Sequence, residues 1–429
     1  MGSHRKCRSV AEAVAGSLTI MLIMVVAGCG ADAASPAAKG GAVPRGLDAQ
    51  ALERLDGYLA GLVDDGELAG AQILLARHDQ IVFEAVFGSA DLDAGTPVAR
   101  DTLWRIYSMT KPVTSVAAML LFEEGRFSLD DPLAQYLPEF ADLTVLVDGE
   151  TVAAERPITI RHVFTHSAGF SYGFTQRGLD ARYREAALFA SADLAEFTRR
   201  LATLPLLFEP GSRWHYGVST DVLGRLVEVI SGQALDRFLT ERIFEPLAMV
   251  DTFFEVPADK LERFGTNHVM DAERGALRVL PDGSLGNIGW SDVTLFSGGG
   301  GLVSTAADYM RFARMLQGGG TLDGVRLLSP KTVDWMTRDH LPAGRAPGTG
   351  VFGGDAALGF GLGFAVVNDP VHATGAVSSA GEYWWGGAAG TLFWIDPEEE
   401  LIAVLMLQRM QSPPVIRRTV RTLVNAALD

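Results

Sequence analysis

The sequence predicts an α+β protein in which one antiparallel sheet is assembled from both chain ends and flanked by helices. A mostly helical region is inserted between those ends. Three observations lead there. Near the start, the apolar runs Ala71 to Ala76 and Ile81 to Phe87 flank His78-Asp79-Gln80, the pattern of a β-hairpin. Near the end, Gly390 to Trp394 and Leu401 to Leu407 flank the acidic turn Asp396-Pro397-Glu398-Glu399-Glu400. From about residue 108 to 340, helical apolar spacing dominates, as in Pro112 to Glu124, Asp221 to Ile230 and Ala306 to Leu316. Strands at both termini enclosing helices place an active site at the seam between the two parts.

In chain order, residues 1–28 read as an export signal. His4, Arg5, Lys6 and Arg8 form a basic start, and the apolar run from Val14 to Val26 is shorter than the ~20 residues that span a bilayer. Val26-Ala27-Gly28-Cys29 resembles a bacterial lipobox, which makes Cys29 the expected site of lipid attachment. An ordinary signal peptide, with Cys29 incidental, is the other reading. Residues 29–46, rich in Ala, Gly and Pro, read as a flexible tether. The expected location is therefore the cell envelope, with the protein held to a membrane by an N-terminal lipid anchor.

Residues 47–429 form the expected folded domain, with an α/β part at about 47–107 and 341–429 and a helical part at about 108–340. Leu52, Leu55, Leu59 and Leu62 give a first helix that Gly66 stops, and Val415 to Leu428 a last one. With 48% hydrophobic and 21% charged residues, 429 positions can bury a full core, which excludes global disorder. A net charge of −16 argues against a nucleic-acid partner, which would need a basic face. Cys7 and Cys29 both precede the domain, so its fold rests on no disulfide framework or cysteine zinc site.

The chemistry begins at Ser108-Met109-Thr110-Lys111. Lysine occurs only at 6, 39, 111, 260 and 331, and Lys111 alone follows a serine by three positions within the domain. If Ser108 opens the helix beginning there, that spacing brings the amine within reach of the hydroxyl. A serine hydroxyl becomes a nucleophile when a nearby base takes its proton. The helix N-terminus directs the Ser108 N–H at an anion forming there. The same four residues are also compatible with a helix cap and a surface lysine.

Tyr107-Ser108-Met109-Thr110-Lys111-Pro112 resembles the nucleophile segment of the serine β-lactamase and DD-peptidase superfamily, and is closest to its class C and esterase branch. The resemblance implies that superfamily's fold. It also implies a tyrosine in a loop before a helix; Glu209-Pro210-Gly211-Ser212-Arg213-Trp214-His215-Tyr216 fits, and Tyr216 is the matching residue. Its phenol would shuttle the proton between Ser108 and the leaving group. The third implied element is a glycine-bearing strand. Trp385-Gly386-Gly387 stands in place of Lys-Thr-Gly, similar to family VIII carboxylesterases, and implies Ala388 N–H as the second oxyanion donor. Gly386 and Gly387 would let substrate lie against the strand, and Trp385, with Trp384, would line its pocket.

Two departures bear on substrate. Tyr216-Gly217-Val218 lacks an amide side chain at its third position, and Trp385 replaces the cation that would meet a β-lactam or peptide carboxylate. A neutral pocket favours small uncharged esters with short acyl chains, cleaved through a Ser108 acyl-enzyme. The alternatives are a β-lactamase, a D-amino-acid peptidase or amidase, an acyltransferase, or a non-enzymatic envelope-binding lipoprotein. No cofactor or metal is implied, and oligomeric state is not legible.

Other patterns read differently. Gly169-Phe170-Ser171-Tyr172-Gly173 matches the nucleophile elbow of α/β-hydrolases, but no buried strand precedes Ser171. His162 and His166 lack the glutamate of a zinc helix and read as a structural pair near the active-site loop. Ser219 and Asp221 read as helix caps, and Gly298 to Gly301 as a tight loop without the lysine of a phosphate cradle.

Overall fold

Leu52, Leu55 and Leu59 share the buried face of α1 (Ala49–Asp64), which Asp48 caps by accepting a hydrogen bond from Ala51 N at 2.7 Å. The hairpin of β1 (Gly70–Arg77) and β2 (Gln80–Asp91) follows, with short β3 (Thr96–Pro97) beside it. The inserted region is built on α2 (Thr110–Glu123), α3 (Ser219–Ser231) and α4 (Ala306–Gln317). Strands β4 (Leu358–Phe360), β5 (Ala365–Val367), β6 (Tyr383–Gly386), β7 (Leu392–Asp396) and β8 (Leu401–Leu407) then lead into α5 (Pro414–Asn425). The computed structural model describes residues 46–175, 178–281, 290–342, 357–373 and 376–429. The export signal, Cys7, Cys29 and the tether up to residue 45 lie outside the described residues.

The strands form one eight-stranded sheet in the order β4-β5-β6-β7-β8-β1-β2-β3. Its centre is the antiparallel pairing of β1 with β8, in which Ile73 faces Leu405 and Ala71 faces Leu407. The two chain ends therefore meet in the middle of the sheet. Every residue of β1 and β8 is buried, because helices cover both faces. Along β8, Leu401, Ala403, Leu405 and Leu407 join α1 and α5 on one side, with Ile416, Val420 and Val424. Ile402, Val404 and Met406 point the other way, into the larger core. Truncating one such leucine to alanine costs about 2–5 kcal/mol.

The inserted interval is not wholly separate from this sheet. α4 packs directly on β1 and β8, and the Tyr309 ring lies 5.0 Å from that of Phe393 on β7. α4 is thus the sheet's second cover, while α2 and α3 pack on each other farther out. The interval also holds small hairpins, Thr144–Val147 with Glu150–Ala153 and His268–Asp271 with Ala276–Val279. Each is four residues per strand, too short for hydrophobic periodicity to separate from loop.

Candidate active site

Ser108 does not open α2 directly. It lies in a 3-10 turn, Tyr107–Met109, that runs into the helix at Thr110. Tyr107 has φ 44°, a left-handed conformation that costs a non-glycine residue about 1–3 kcal/mol. The surroundings hold it there. Ile106 N donates to Leu302 O at 3.1 Å, and Thr110 Oγ1 accepts from Leu302 N at 3.1 Å. Tyr309 OH donates to Met109 O at 2.9 Å, and Asn267 Nδ2 donates to the Tyr107 hydroxyl. The Ser108 segment is thereby clamped between α4 and the glycine-rich turn before it.

The three expected groups converge on one oxygen. Tyr216 OH donates to Ser108 Oγ at 2.8 Å, and Lys111 Nζ donates to it at 3.2 Å. The Lys111 side chain is buried, with Nζ 4.8 Å from the centre of the Tyr216 ring. Tyr216 arrives from its own loop because Gly217 lies against the Phe170 carbonyl, where any Cβ would overlap it. Two groups able to exchange a proton therefore touch the Ser108 hydroxyl.

Sequence reasoning missed what holds the Lys111 amine. Lys111 Nζ also donates to Gly299 O at 2.6 Å, and Gly299 N donates to Asp221 Oδ1 at 3.1 Å. Asp221 lies inside α3 rather than capping it, fully buried, and accepts from Ser297 Oγ at 2.5 Å. Burial raises its pKa, against the pull of Lys111. A Cβ at Gly299 would stand 2.5 Å from Asp221 Oδ2 and 3.0 Å from Tyr172 OH, so glycine there permits the contact. The Tyr172 ring stands 5.3 Å from Lys111 Nζ and 5.3 Å from the Tyr216 ring. Burial, then the neighbouring Tyr216, pushes the Tyr172 phenol well above its ordinary range, so it stays protonated. The one available signal was an acid within the apolar period of α3, five residues after the tyrosine.

The opposite wall is β6. Gly387 N donates to Thr391 O at 2.8 Å, while among the described residues no acceptor takes the N–H of exposed Ala388. Arg417, from α5, fixes this turn: its guanidinium donates to Gly390 O at 3.1 Å, Thr391 O at 2.9 Å and Gly387 O. Burial lowers its pKa to about 10, and the charge remains at neutral pH. Two expectations change here. Trp385 is 1% exposed and packs on Tyr216 at 5.3 Å and Phe360 at 5.2 Å. It backs the phenol rather than offering open pocket surface. Gly387 is needed by the protein itself, since a Cβ there would reach 2.5 Å from Ile106 O, beside the turn that carries Ser108. Gly386 likewise faces Arg417, 3.2 Å from a Cβ position.

The Beta-lactamase family description matches residues 55–427. The chain belongs to the beta-lactamase family. Protein Rv1367c of Mycobacterium tuberculosis is 38% identical, over 82% of this chain and 90% of its own length. Esterase EstB of Burkholderia gladioli is 33% identical, over 84% of this chain and 91% of its own. The solved structure of simvastatin synthase LovD from Aspergillus terreus superposes with a TM-score of 0.76 at 26% identity, covering 88% of this chain and 98% of that one. The resemblance carried by the three motifs thus holds along the domain, and the fold is that of the beta-lactamase-related serine hydrolases.

Ser171, His162, His166 and the glycine run have contacts of their own. Ser171 Oγ donates to Asp180 Oδ1 at 2.5 Å and accepts from Gly173 N at 3.0 Å, closing its own loop. His162 completes a capping box with Thr159, its Nδ1 accepting from Thr159 N at 3.2 Å. His166 packs 4.9 Å from the Tyr216 ring, and burial together with the Lys111 charge keeps it neutral. The glycines 298–301 form the turn that meets Lys111 and Asp221.

Proposed function

We propose that this beta-lactamase-family protein hydrolyses uncharged carboxylic esters through a Ser108 acyl-enzyme. The observation that carries the reading is the double contact on Ser108 Oγ, from Tyr216 OH at 2.8 Å and Lys111 Nζ at 3.2 Å. Ser108 Oγ bonds to the ester carbonyl carbon, and its proton passes through Tyr216 and Lys111 to the departing alkoxide as the carbon–oxygen bond breaks. Water, deprotonated by the same pair, then adds to the acyl carbon; the bond from that carbon to Ser108 Oγ breaks, the proton passes back to Ser108 Oγ, and the acid leaves. Backbone N–H groups of Ser108 and Ala388 receive the oxyanion. The indole of Trp385 where a strand cation would stand supports esters over β-lactams and peptides, whose carboxylate would be left unpaired. The 33% identity to Esterase EstB supports the same choice.

Turnover of a short-chain nitrophenyl ester against a chromogenic cephalosporin and a D-alanyl-D-alanine peptide tests the reading. Preferred ester cleavage supports it, and faster cleavage of either amide overturns it. Cys29 would tether this activity to the envelope membrane; labelling with a radioactive fatty acid that survives Cys29→Ser would refute that part.

A further inference from the structure

Beside the catalytic cluster lies a cavity of about 280 Å³, walled by Phe189, Ser191, Phe254, Trp290, Val293 and Leu295. Whole-ligand pockets occupy ~300–1,000 Å³, so this volume suits one arm of a substrate rather than all of it. Two of its walls touch the site. Phe189 stacks on Tyr172 with ring centres 6.2 Å apart and planes at 11°, and Trp290 meets Tyr107, next to Ser108, edge-on at 6.3 Å. A third wall residue, Ser297, is the one that donates to Asp221.

The lining specifies the arm. Phe189 is 42% exposed beside the cavity, an apolar surface with no occupant among the described residues. Ser191 and Trp290 are only 4% and 6% exposed, yet Ser191 Oγ and Trp290 Nε1 have no hydrogen-bond partner among the described residues. Buried donors without acceptors are costly and uncommon, and an acceptor oxygen on a bound molecule would satisfy them. Asp292 also lines the cavity, its N–H donating to Glu255 Oε1 at 3.0 Å, and its acidic side chain disfavours an anion there.

We propose that this cavity receives one arm of the ester, an uncharged aromatic or alicyclic group bearing an acceptor oxygen that meets Ser191 Oγ or Trp290 Nε1. This rests on the esterase reading above and adds the class of substrate. Small acetates then react without using the cavity, and its occupant sets which larger esters are preferred.

The test measures kcat/KM by titration of released acid for four esters: ethyl acetate, 6-methoxy-2-naphthyl acetate, ethyl 6-methoxy-2-naphthoate, and 2-naphthyl acetate. Val293→Trp and Leu295→Trp each fill the cavity, and Val250→Trp, at an exposed position elsewhere, is the control. Either filling variant should lower kcat/KM for one methoxynaphthyl ester at least about tenfold relative to ethyl acetate, with the control at wild-type ratios. Ser191→Ala should lower the ratio of methoxylated to plain naphthyl acetate. Unchanged ratios in all cavity variants, or an equal loss on every ester, overturn the cavity assignment. Wild-type protein that cleaves none of the four overturns the esterase reading itself.

Discussion

Lys111 and Asp221 are joined through a single residue: the Gly299 carbonyl accepts from Lys111 Nζ at 2.6 Å, and the Gly299 N–H donates to Asp221 Oδ1 at 3.1 Å. A buried amine and a buried carboxyl group are thereby tied by one short turn, and each is further held by its own partners. The arrangement orients the amine toward Ser108 without placing the acid against it.

Asp221→Asn keeps the shape of the carboxylate and removes its charge. A charge-assisted hydrogen bond contributes about 1.5–3 kcal/mol, so kcat should fall about ten- to a hundredfold, with the loss in acylation. Stopped-flow acylation rates check this, and a wild-type rate would mean that Asp221 only packs α3.

Tyr216→Phe removes one hydroxyl and leaves the ring against Trp385, Tyr172 and His166. Folding should be retained while kcat falls ~10²–10⁴-fold, the usual contribution of a positioned acid–base group. Steady-state kinetics with a melting curve separate the two effects; a drop under threefold would remove Tyr216 from the chemistry.

The legible parts of this protein were those with a local signature. The hairpins β1–β2 and β7–β8 are apolar runs joined by short polar turns, and Ser108, Lys111 and Tyr216 sit in short motifs. What escaped notice is held by distant neighbours. Asp221 looked like a cap because acids favour first turns, but its partners lie at 297 and 299. Tyr172 sat inside a motif weighed only for its serine, Ser171. Arg417 carries no signature at all, since its three acceptors are carbonyls that any sequence provides. Trp385 was placed by its motif but not by its burial, which depends on Phe360 and Tyr216 closing over it.

Arg417→Met should loosen the 387–391 turn and misaim the Ala388 N–H. Losing an oxyanion donor outright costs ~10²–10³ in rate, so a partial loss of about ten- to a hundredfold in kcat is expected, with KM little changed. Arg417→Lys should recover part of it. Equal kcat in wild type and Arg417→Met would show that the turn holds without the guanidinium.

Burial, aided by Arg156 and Arg161, lowers His162 to about 4, so the folded protein keeps it neutral where the unfolded chain, near 6.5, takes a proton. The unfolded state then binds more protons, and this contribution to stability is present above pH 6.5 and lost as pH falls toward 4. Wild type should therefore lose more in Tm between pH 7 and 5 than His162→Gln does. An equal or smaller loss in wild type would contradict the sign.

The most direct measurement is intact-mass and peptide mapping after reaction with a fluorophosphonate, in wild type, Ser108→Ala and Ser171→Ala. One adduct on the peptide carrying Ser108, absent in Ser108→Ala and undiminished in Ser171→Ala, is the predicted result. An adduct that persists in Ser108→Ala, or that vanishes with Ser171→Ala, would contradict Ser108 as the nucleophile.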